Sequence, residues 1–114
     1  MFQIRGENIY PSAIDAVLNE LPDYGGEHRI IITREGAMDE LLVRLEATAE
    51  LYDQGGMELD NLARTAASEL NKVLGVRTKI EVVDPGSIER TDFKARRVID
   101  DRDLFRTVSA RLES

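Results

Sequence analysis

Residues 28–46 read HRIIITREGAMDELLVRLE, and this stretch decides the fold. It opens with His28 and then carries three consecutive isoleucines, a density of apolar side chains that is typical of a strand in the middle of a sheet. A turn follows at residues 35–39, after which apolar and mostly polar residues alternate, the apolar positions being Leu41, Val43 and Leu45. The stretch therefore predicts two strands that pair as an antiparallel hairpin.

One helix is predicted on each side of this hairpin. The first follows Pro11, where Ser12 and Asp15 resemble a capping box, and it ends at Leu21-Pro22. Its apolar residues recur at helical spacing, namely Ile14, Val17, Leu18 and Leu21. The second begins at Met57 and ends at Gly75, which stands where a C-cap glycine is expected. Its apolar stripe consists of Leu59, Leu62, Ala63, Ala66, Leu70, Val73 and Leu74.

The remaining elements are shorter. Alternation predicts a strand at Phe2–Ile4, broken at Gly6, and another at residues 76–83, while residues 47–56 form a connection between the hairpin and the second helix. Residues 88–97 have no clear period and are interpreted as a loop, with short strand pieces around Val98 and a helical tail at residues 104–114. The order βαββαβ predicts an α+β fold, a small antiparallel or mixed sheet with helices on one face.

Composition excludes several classes of function. The 114 residues carry a formal net charge of -7, which argues against nonspecific nucleic-acid binding. The absence of cysteine excludes thiolate catalysis and disulfides, and with a single histidine we expect no metal site. That histidine, His28, is interpreted as structural or exposed rather than as a ligand or base. No apolar run could span a membrane and no signal peptide is visible, so we expect a cytoplasmic protein.

A basic cluster near the end of the chain is the strongest candidate for chemistry. The segment Arg90–Asp100 contains four cations, and its one lysine, Lys94, has non-acidic neighbours on both sides. A lysine ammonium is a compact charge on a flexible stem, so it can neutralise phosphate and carboxylate oxygens as they approach each other. The alternative is an ordinary solvated basic surface. No phosphate-binding glycine loop and no nucleophile elbow accompany the cluster, so the chain lacks a complete active site.

Two segments at opposite ends of the chain resemble a known family. Residues 5–15, RGENIYPSAID, are similar to the "RGxNxxPxxIE" segment that opens the mobile C-terminal domain of phenylacetate-CoA ligases, which are AMP-forming adenylating enzymes. The hairpin is similar to the same domain, and residues 90–100, RTDFKARRVID, resemble the lysine loop of that family. The resemblance covers residues 1–103. Phe93 departs from it, because adenylating enzymes commonly place a glycine before the lysine.

This resemblance implies a lid domain of a two-step enzyme. In that family an N-terminal adenylation domain binds ATP, with Mg²⁺, and a carboxylic acid, here expected to be aromatic. The small domain supplies the lysine, here Lys94, for adenylate formation. It then rotates so that the Arg5-Gly6 segment meets the site of thioester formation with coenzyme A. Met1 lies close to the expected interdomain hinge, so we expect a fragment of a longer enzyme that is inactive by itself.

A second interpretation belongs to a different class. The predicted element order also suits an ACT-like regulatory domain, a module that binds a small molecule or a protein without catalysis. Exposed apolar side chains at Phe2, Ile4, Ile9 and Tyr10 would allow either kind of domain to self-associate as a homodimer.

Overall fold

The computed structural model describes residues 1–36, 38–91 and 97–100. Within these residues the chain forms a small α+β unit, and the predicted fold class is confirmed. The elements in order are β1 (Phe2–Ile4), β2 (Glu7–Ile9), α1 (Pro11–Asn19), β3 (Tyr24–Glu35), β4 (Met38–Ala47), α2 (Ala49–Gln54), α3 (Gly56–Leu74), β5 (Thr78–Val83) and β6 (Val98–Asp100).

A four-stranded mixed sheet with the order β5-β4-β3-β6 forms the centre of the molecule. Its two middle strands are the predicted antiparallel hairpin, with Ile30 paired to Val43. Strand β5 is parallel to β4, and β6 is parallel to β3, with Ile30 also paired to Val98. The parallel β4–β5 pair needs a long crossover, which α2 and α3 provide. Strands β1 and β2 form a separate antiparallel pair.

The hydrophobic core lies between one face of the sheet and the helices α1 and α3. The alternating strand residues of the hairpin, Ile30, Ile32, Leu41, Val43 and Leu45, are almost fully buried as the pattern predicted. Helix α3 contributes Leu62, Ala66, Leu70 and Leu74, which follow one another at intervals of four residues. Val73 was placed in the same stripe but is 55% exposed, because a residue adjacent to Leu74 lies about 100° around the helix axis.

Both predicted helix boundaries at α1 were wrong. The N-cap residue is Tyr10, with no side-chain cap, and the helix begins at Pro11. Ser12 therefore lies inside the first turn and forms no capping box, because Pro11 has the backbone φ and the missing N–H that suit the first helical position. The helix ends at Asn19 rather than at Leu21. The residue Gly75, by contrast, adopts the predicted left-handed C-cap of α3.

Two other local predictions were also wrong. The connection 47–56 contains the short helix α2, whose N-cap Thr48 accepts a hydrogen bond from the backbone N–H of Leu51 at 3.3 Å. Ile4 and Ile9 are buried rather than exposed, because the β1–β2 pair packs its apolar residues into the core. Of the residues on which the homodimer prediction rested, Tyr10 is the one that is mostly exposed. None of the helices within the described ranges is long and apolar enough to cross a membrane.

Candidate functional site

The Arg5-Gly6 turn connects β1 to β2 in two residues. Ile4 pairs with Glu7, and the two residues between them have φ values of 51° and 85°. Two successive residues with positive φ are the mark of a tight turn whose twist matches that of the flanking strands. Arg5 is the only non-glycine with a positive φ in the part of the chain that the structure describes, which indicates local backbone strain.

Arg5 and Gly6 have different roles in this turn. The Arg5 guanidinium donates from Nε to the Asp39 carbonyl oxygen at 3.1 Å and from a terminal nitrogen to Glu40 Oε1 at 3.0 Å, which ties the turn to the start of β4. A Cβ atom added to Gly6 would meet no atom within 4 Å. Glycine is therefore needed at this position for its backbone conformation, and the space beside it is open to an approaching group.

A buried carboxylate at the other end of β4 anchors the segment that follows β5. Glu46 has no exposed surface. Its Oε1 accepts a hydrogen bond from the Gly86 N–H at 2.9 Å, and its Oε2 accepts one from the Ile88 N–H at 3.0 Å. Arg90 donates to the same carboxylate at 2.8 Å. Residues 86–90 are thus held against the sheet by one acidic side chain.

A second buried carboxylate, Glu27 on β3, is 2% exposed and lies close to the first in the fold. Its Oε1 accepts hydrogen bonds from Arg97 Nε at 2.9 Å, from Arg29 at 3.1 Å and from the His28 N–H at 3.2 Å. Its Oε2 accepts a hydrogen bond from the Thr91 N–H at 3.3 Å. Burial by itself would raise the pKa of Glu27, but these N–H groups and the two guanidinium charges together lower it.

Lys94 and Phe93 lie outside the described residues, so the role of Lys94 stays a prediction. The structure does describe two of the cations that the sequence groups with it. Arg97 is 16% exposed at its side chain and pairs with Glu27 and with Asp15, the latter at 3.4 Å. Arg90 pairs with Glu46. The interpretation of the whole segment as solvated basic surface is therefore wrong for Arg97, whereas Arg90 is 57% exposed at its side chain although it pairs with a buried acid.

The fold keeps the two candidate segments apart. Arg5 contacts the chain at Asp39 and Glu40, whereas Arg90 contacts it at Glu46. Residues 39 and 46 are seven positions apart on one extended strand, a distance of about 23 Å. Arg5 and Arg90 thus contact opposite ends of β4.

His28 is a structural residue, as one of the two sequence interpretations expected. It is 1% exposed, and its Nδ1 lies 2.7 Å from the Tyr24 hydroxyl oxygen. The pKa of His28 is lowered to about 4, mainly by burial and also by the charges of Arg97 and Arg29, while the carboxylates of Asp15 and Glu27 oppose the shift. Burial also raises the pKa of Tyr24 to about 12. The His28 imidazole is therefore neutral at pH 7.

His28 and Arg97 also line a cavity of 340 Å³ beside the start of α1, whose other walls include Tyr10, Asp15 and Ile30. Its wall is mainly apolar, and two of its polar side chains, Arg97 and His28, are engaged in contacts with Glu27 and Tyr24. Across residues 1–36, 38–91 and 97–100 no three metal-ligating side chains come together.

Sequence reasoning missed both buried glutamates. A weak signal existed, because the hairpin register pairs His28 with Leu45, and its continuation by one residue would place Glu27 opposite Glu46. Like charges that face each other across a sheet are unfavourable unless cations lie between them. Arg90 and Arg97 supply such partners, but only the three-dimensional structure shows that they do so.

The family follows from comparison with known proteins. A model of the AMP-binding enzyme C-terminal domain matches residues 6–102. The chain belongs to this family. The match favours the enzyme-domain interpretation over the regulatory module. One curated relative is the phenylacetate-coenzyme A ligase of Thermus thermophilus, which is 30% identical over 113 residues. This match covers 88% of this chain and 25% of that enzyme. The chain therefore spans about a quarter of the length of the relatives it matches.

Solved structures agree with the family. One of them is a 2-hydroxyisobutyryl-CoA ligase in complex with 2-HIB-AMP and CoA, in its thioesterification state. The match has 57% sequence identity and a TM-score of 0.87, and it covers 99% of this chain and 24% of that protein. A domain of phenylacetate-coenzyme A ligase from Bacteroides vulgatus is 25% identical with a TM-score of 0.80, covering 90% of this chain and 92% of that domain.

Proposed function

We propose that this chain is the C-terminal domain of an ATP-dependent, AMP-forming acid–CoA ligase. The observation that carries the proposal is the 57% identity over 99% of the chain to a ligase solved with both an acyl-adenylate and CoA. The membership of the AMP-binding enzyme C-terminal domain family supports it independently. The partner of the domain is then an N-terminal adenylation domain of the same enzyme, and ATP, with Mg²⁺, and CoA are substrates of the whole protein.

The reaction has two steps. A carboxylate oxygen of the acid attacks the α-phosphorus of ATP, and pyrophosphate leaves with the electrons of the broken P–O bond. The CoA sulfur then attacks the carbonyl carbon of the acyl-adenylate, AMP leaves, and the thiol proton passes to solvent. The first step brings two anionic groups together, so it needs a cation, whereas the second needs room for the long arm of CoA.

Lys94 is the proposed cation of the first step. A unit charge about 4 Å from an oxygen anion, at an effective dielectric constant near 20, stabilises it by about 4 kcal/mol. The proposal rests on the resemblance of residues 90–100 to the lysine loop.

The Arg5-Gly6 turn is the proposed contact of the second step. The open space beside Gly6 leaves its backbone accessible to a ligand or to another domain. Because Arg5 is fixed to the start of β4, the turn presents this space in one orientation.

A small 2-hydroxy acid is our first candidate for the acid substrate. The identity to the 2-hydroxyisobutyryl-CoA ligase is 57%, whereas the identity to four phenylacetate-coenzyme A ligases lies between 25% and 30%. An aromatic acid such as phenylacetate remains the second candidate, because several curated relatives bear that name. Initial rates of AMP release, measured with the full-length enzyme, CoA and each acid in turn, distinguish the two.

The test of Lys94 uses the two half-reactions of the full-length enzyme. Lys94→Ala should reduce adenylate formation, followed by pyrophosphate release, by about 1000-fold, since about 4 kcal/mol corresponds to roughly three powers of ten. It should leave thioester formation from supplied acyl-adenylate and CoA within a few-fold of wild type. The control Lys72→Ala removes a lysine that is 69% exposed on α3 and should change neither step. Equal loss of both steps in Lys94→Ala would remove Lys94 from its proposed role.

A further inference from the structure

The side chain of Arg5 joins the Arg5-Gly6 turn to the central sheet. Its guanidinium donates to Glu40 Oε1 at 3.0 Å and, from Nε, to the Asp39 carbonyl oxygen at 3.1 Å. Both acceptors lie at the start of β4, 34 and 35 positions along the chain from Arg5. The second oxygen of Glu40, Oε2, lies 4.0 Å from Lys79 Nζ on β5. Glu40 is therefore the side chain through which the turn is tied to the sheet.

The strands that flank the turn are held by other contacts. Ile4 on β1 and Ile9 on β2 are almost completely buried in the core. Gln3 Nε2 donates to Asn8 Oδ1 across the strand pair at 3.1 Å. These contacts keep β1 and β2 in place without Glu40. The pair with Glu40 acts beyond them, on a residue of the turn itself.

The backbone of Arg5 explains why the turn depends on this pair. Its φ of 51° lies in the left-handed region, which glycine and asparagine adopt more readily than a residue with a long side chain. A strained backbone conformation persists when the surrounding contacts stabilise it, and such residues concentrate at ligand-binding sites. The contacts of the guanidinium are thus what holds Arg5 in its conformation.

The same pair contributes little to the stability of the whole fold. The side chains of Arg5 and Glu40 are 36% and 21% exposed, and ion pairs that water can reach are weak. Loss of the pair leaves the buried residues of the core in place. An effect of Glu40 on activity would therefore come from the orientation of the turn rather than from unfolding.

We infer that Glu40 is a positioning residue for thioester formation. This inference rests on the proposed function, in which the Arg5-Gly6 turn meets the site where CoA attacks the acyl-adenylate. Glu40 acts through Arg5 rather than by contact with CoA, and it keeps the open space beside Gly6 facing in one direction. Without the pair the turn adopts several orientations, and the rate falls with the fraction of molecules in the competent one.

The main experiment compares Glu40→Ala with wild type in the full-length enzyme. CoA is supplied together with the adenylate of 2-hydroxyisobutyrate or of phenylacetate, and thioester formation is followed. We expect kcat/KM for CoA to fall about fivefold, which corresponds to about 1 kcal/mol, the upper end for an ion pair that water can reach. Pyrophosphate release in adenylate formation should stay at the wild-type rate. Equal loss of both half-reactions would show a structural role and overturn the inference.

The sign of the effect separates positioning from a simple change of charge. CoA carries phosphate groups, so removal of a nearby carboxylate would by itself increase the attraction of the domain for CoA. A change of charge therefore predicts a rise in kcat/KM for CoA, whereas positioning predicts a fall. A rise, or no change, in Glu40→Ala would overturn the inference.

Two matched controls remove neighbouring charges without touching the turn. Glu81→Ala removes an exposed carboxylate on β5 that pairs with Arg44. Lys79→Ala breaks the longer contact of Glu40 and leaves its pair with Arg5 intact. Neither control should change either half-reaction. A loss of thioester formation in Lys79→Ala equal to that in Glu40→Ala would assign the effect to the wrong partner of Glu40 and overturn the inference.

A double variant tests whether Glu40 acts through Arg5. Arg5→Asn gives the turn the sequence Asn-Gly, which suits its backbone conformation, but removes the link to Glu40. In the Arg5→Asn background, Glu40→Ala should have no further effect on thioester formation. Additive losses would overturn the inference, because Glu40 would then act by a route other than Arg5.

A milder variant serves if Glu40→Ala fails to fold. Glu40→Gln keeps one acceptor oxygen but loses the charge, so it should show a smaller fall in kcat/KM for CoA, again with wild-type adenylate formation. If wild type forms no thioester, the proposed function fails and the positioning role fails with it. If wild type is active and the Glu40 variants match it in both half-reactions, the proposed function stands and the positioning role does not.

Discussion

Substitution of Glu46 by alanine tests whether this buried carboxylate holds the segment after β5. The change removes the acceptor for the N–H groups of Gly86 and Ile88 and for the side chain of Arg90. Each buried N–H left without an acceptor costs about 1–3 kcal/mol. Arg90 is 57% exposed at its side chain and can return to water, so its loss adds little. Gly86 is exposed as well, so its N–H can bond to water, whereas Ile88 is buried. We therefore expect Glu46→Ala to lower the free energy of unfolding by about 2 kcal/mol, the mid-range cost of one buried N–H without an acceptor.

Urea denaturation of the 114-residue chain, followed by circular dichroism, measures this change. With a slope of about 2 kcal/mol per molar urea, a loss of about 2 kcal/mol moves the midpoint down by about 1 M. Glu46→Gln keeps one acceptor oxygen and should lie between wild type and Glu46→Ala. The control Glu81→Ala breaks an exposed pair with Arg44 and should change the free energy by less than about 0.5 kcal/mol. If Glu46→Ala behaves like this control, water replaces Glu46 as the hydrogen-bond acceptor for the N–H groups of Gly86 and Ile88, and the carboxylate does not anchor the segment.

Three further substitutions follow from local geometry. Folding lowers the pKa of His28 from 6.5 to about 4, so the unfolded chain binds more protons between these values and the free energy of unfolding falls as the pH drops. Between pH 6.5 and pH 5 this loss is about 2 kcal/mol, and urea denaturation at both pH values should show it in wild type but not in His28→Gln. Gly25→Ala places a Cβ atom 2.5 Å from the Ala47 carbonyl oxygen and should destabilise the chain by about 3 kcal/mol in thermal unfolding, whereas Gly56→Ala, with no atom within 4 Å of its added Cβ, should be neutral or stabilising. Gly6→Ala meets no atom but has a φ of 85°, so it should cost about 1 kcal/mol in the same assay and, in the full-length enzyme, slow thioester formation more than adenylate formation.

The elements that the sequence predicted well are those with a long hydrophobic pattern. The hairpin of residues 28–46 and the helix α3 each bury one regular face, and a period of two or of nearly four is visible without any tertiary information. Helix α2 was not predicted, because a helix of six residues is too short to show a helical period. It is stabilised by the cap at Thr48 and by tertiary packing. The prediction of a helix cap at Ser12 was wrong because Pro11 suits the first helical position and sets the start of the helix.

The candidate site was predictable only in part, for a related reason. The Arg5-Gly6 turn is a local feature, and the sequence located it correctly. Glu27 and Glu46, by contrast, bond to residues 40 to 70 positions away, and no period in the sequence records such pairs. The prediction that Lys94 acts in adenylate formation came from the resemblance to a family rather than from the chemistry of its neighbours, and it stays a prediction.

The placement of the two segments bears on how the proposed reaction can proceed. Arg5 is hydrogen-bonded at the start of β4, and the segment through Arg90 is bonded at its end, about 23 Å away along a strand in the middle of the sheet. A central strand cannot shorten, and the bonds at one end involve a carboxylate with no exposed surface. The distance between the two segments is therefore a fixed property of the domain. If both act on the same bound acyl group, the domain must turn as a rigid body between the two steps, since bending within it would break the buried contacts of Glu46 before it brought the segments together.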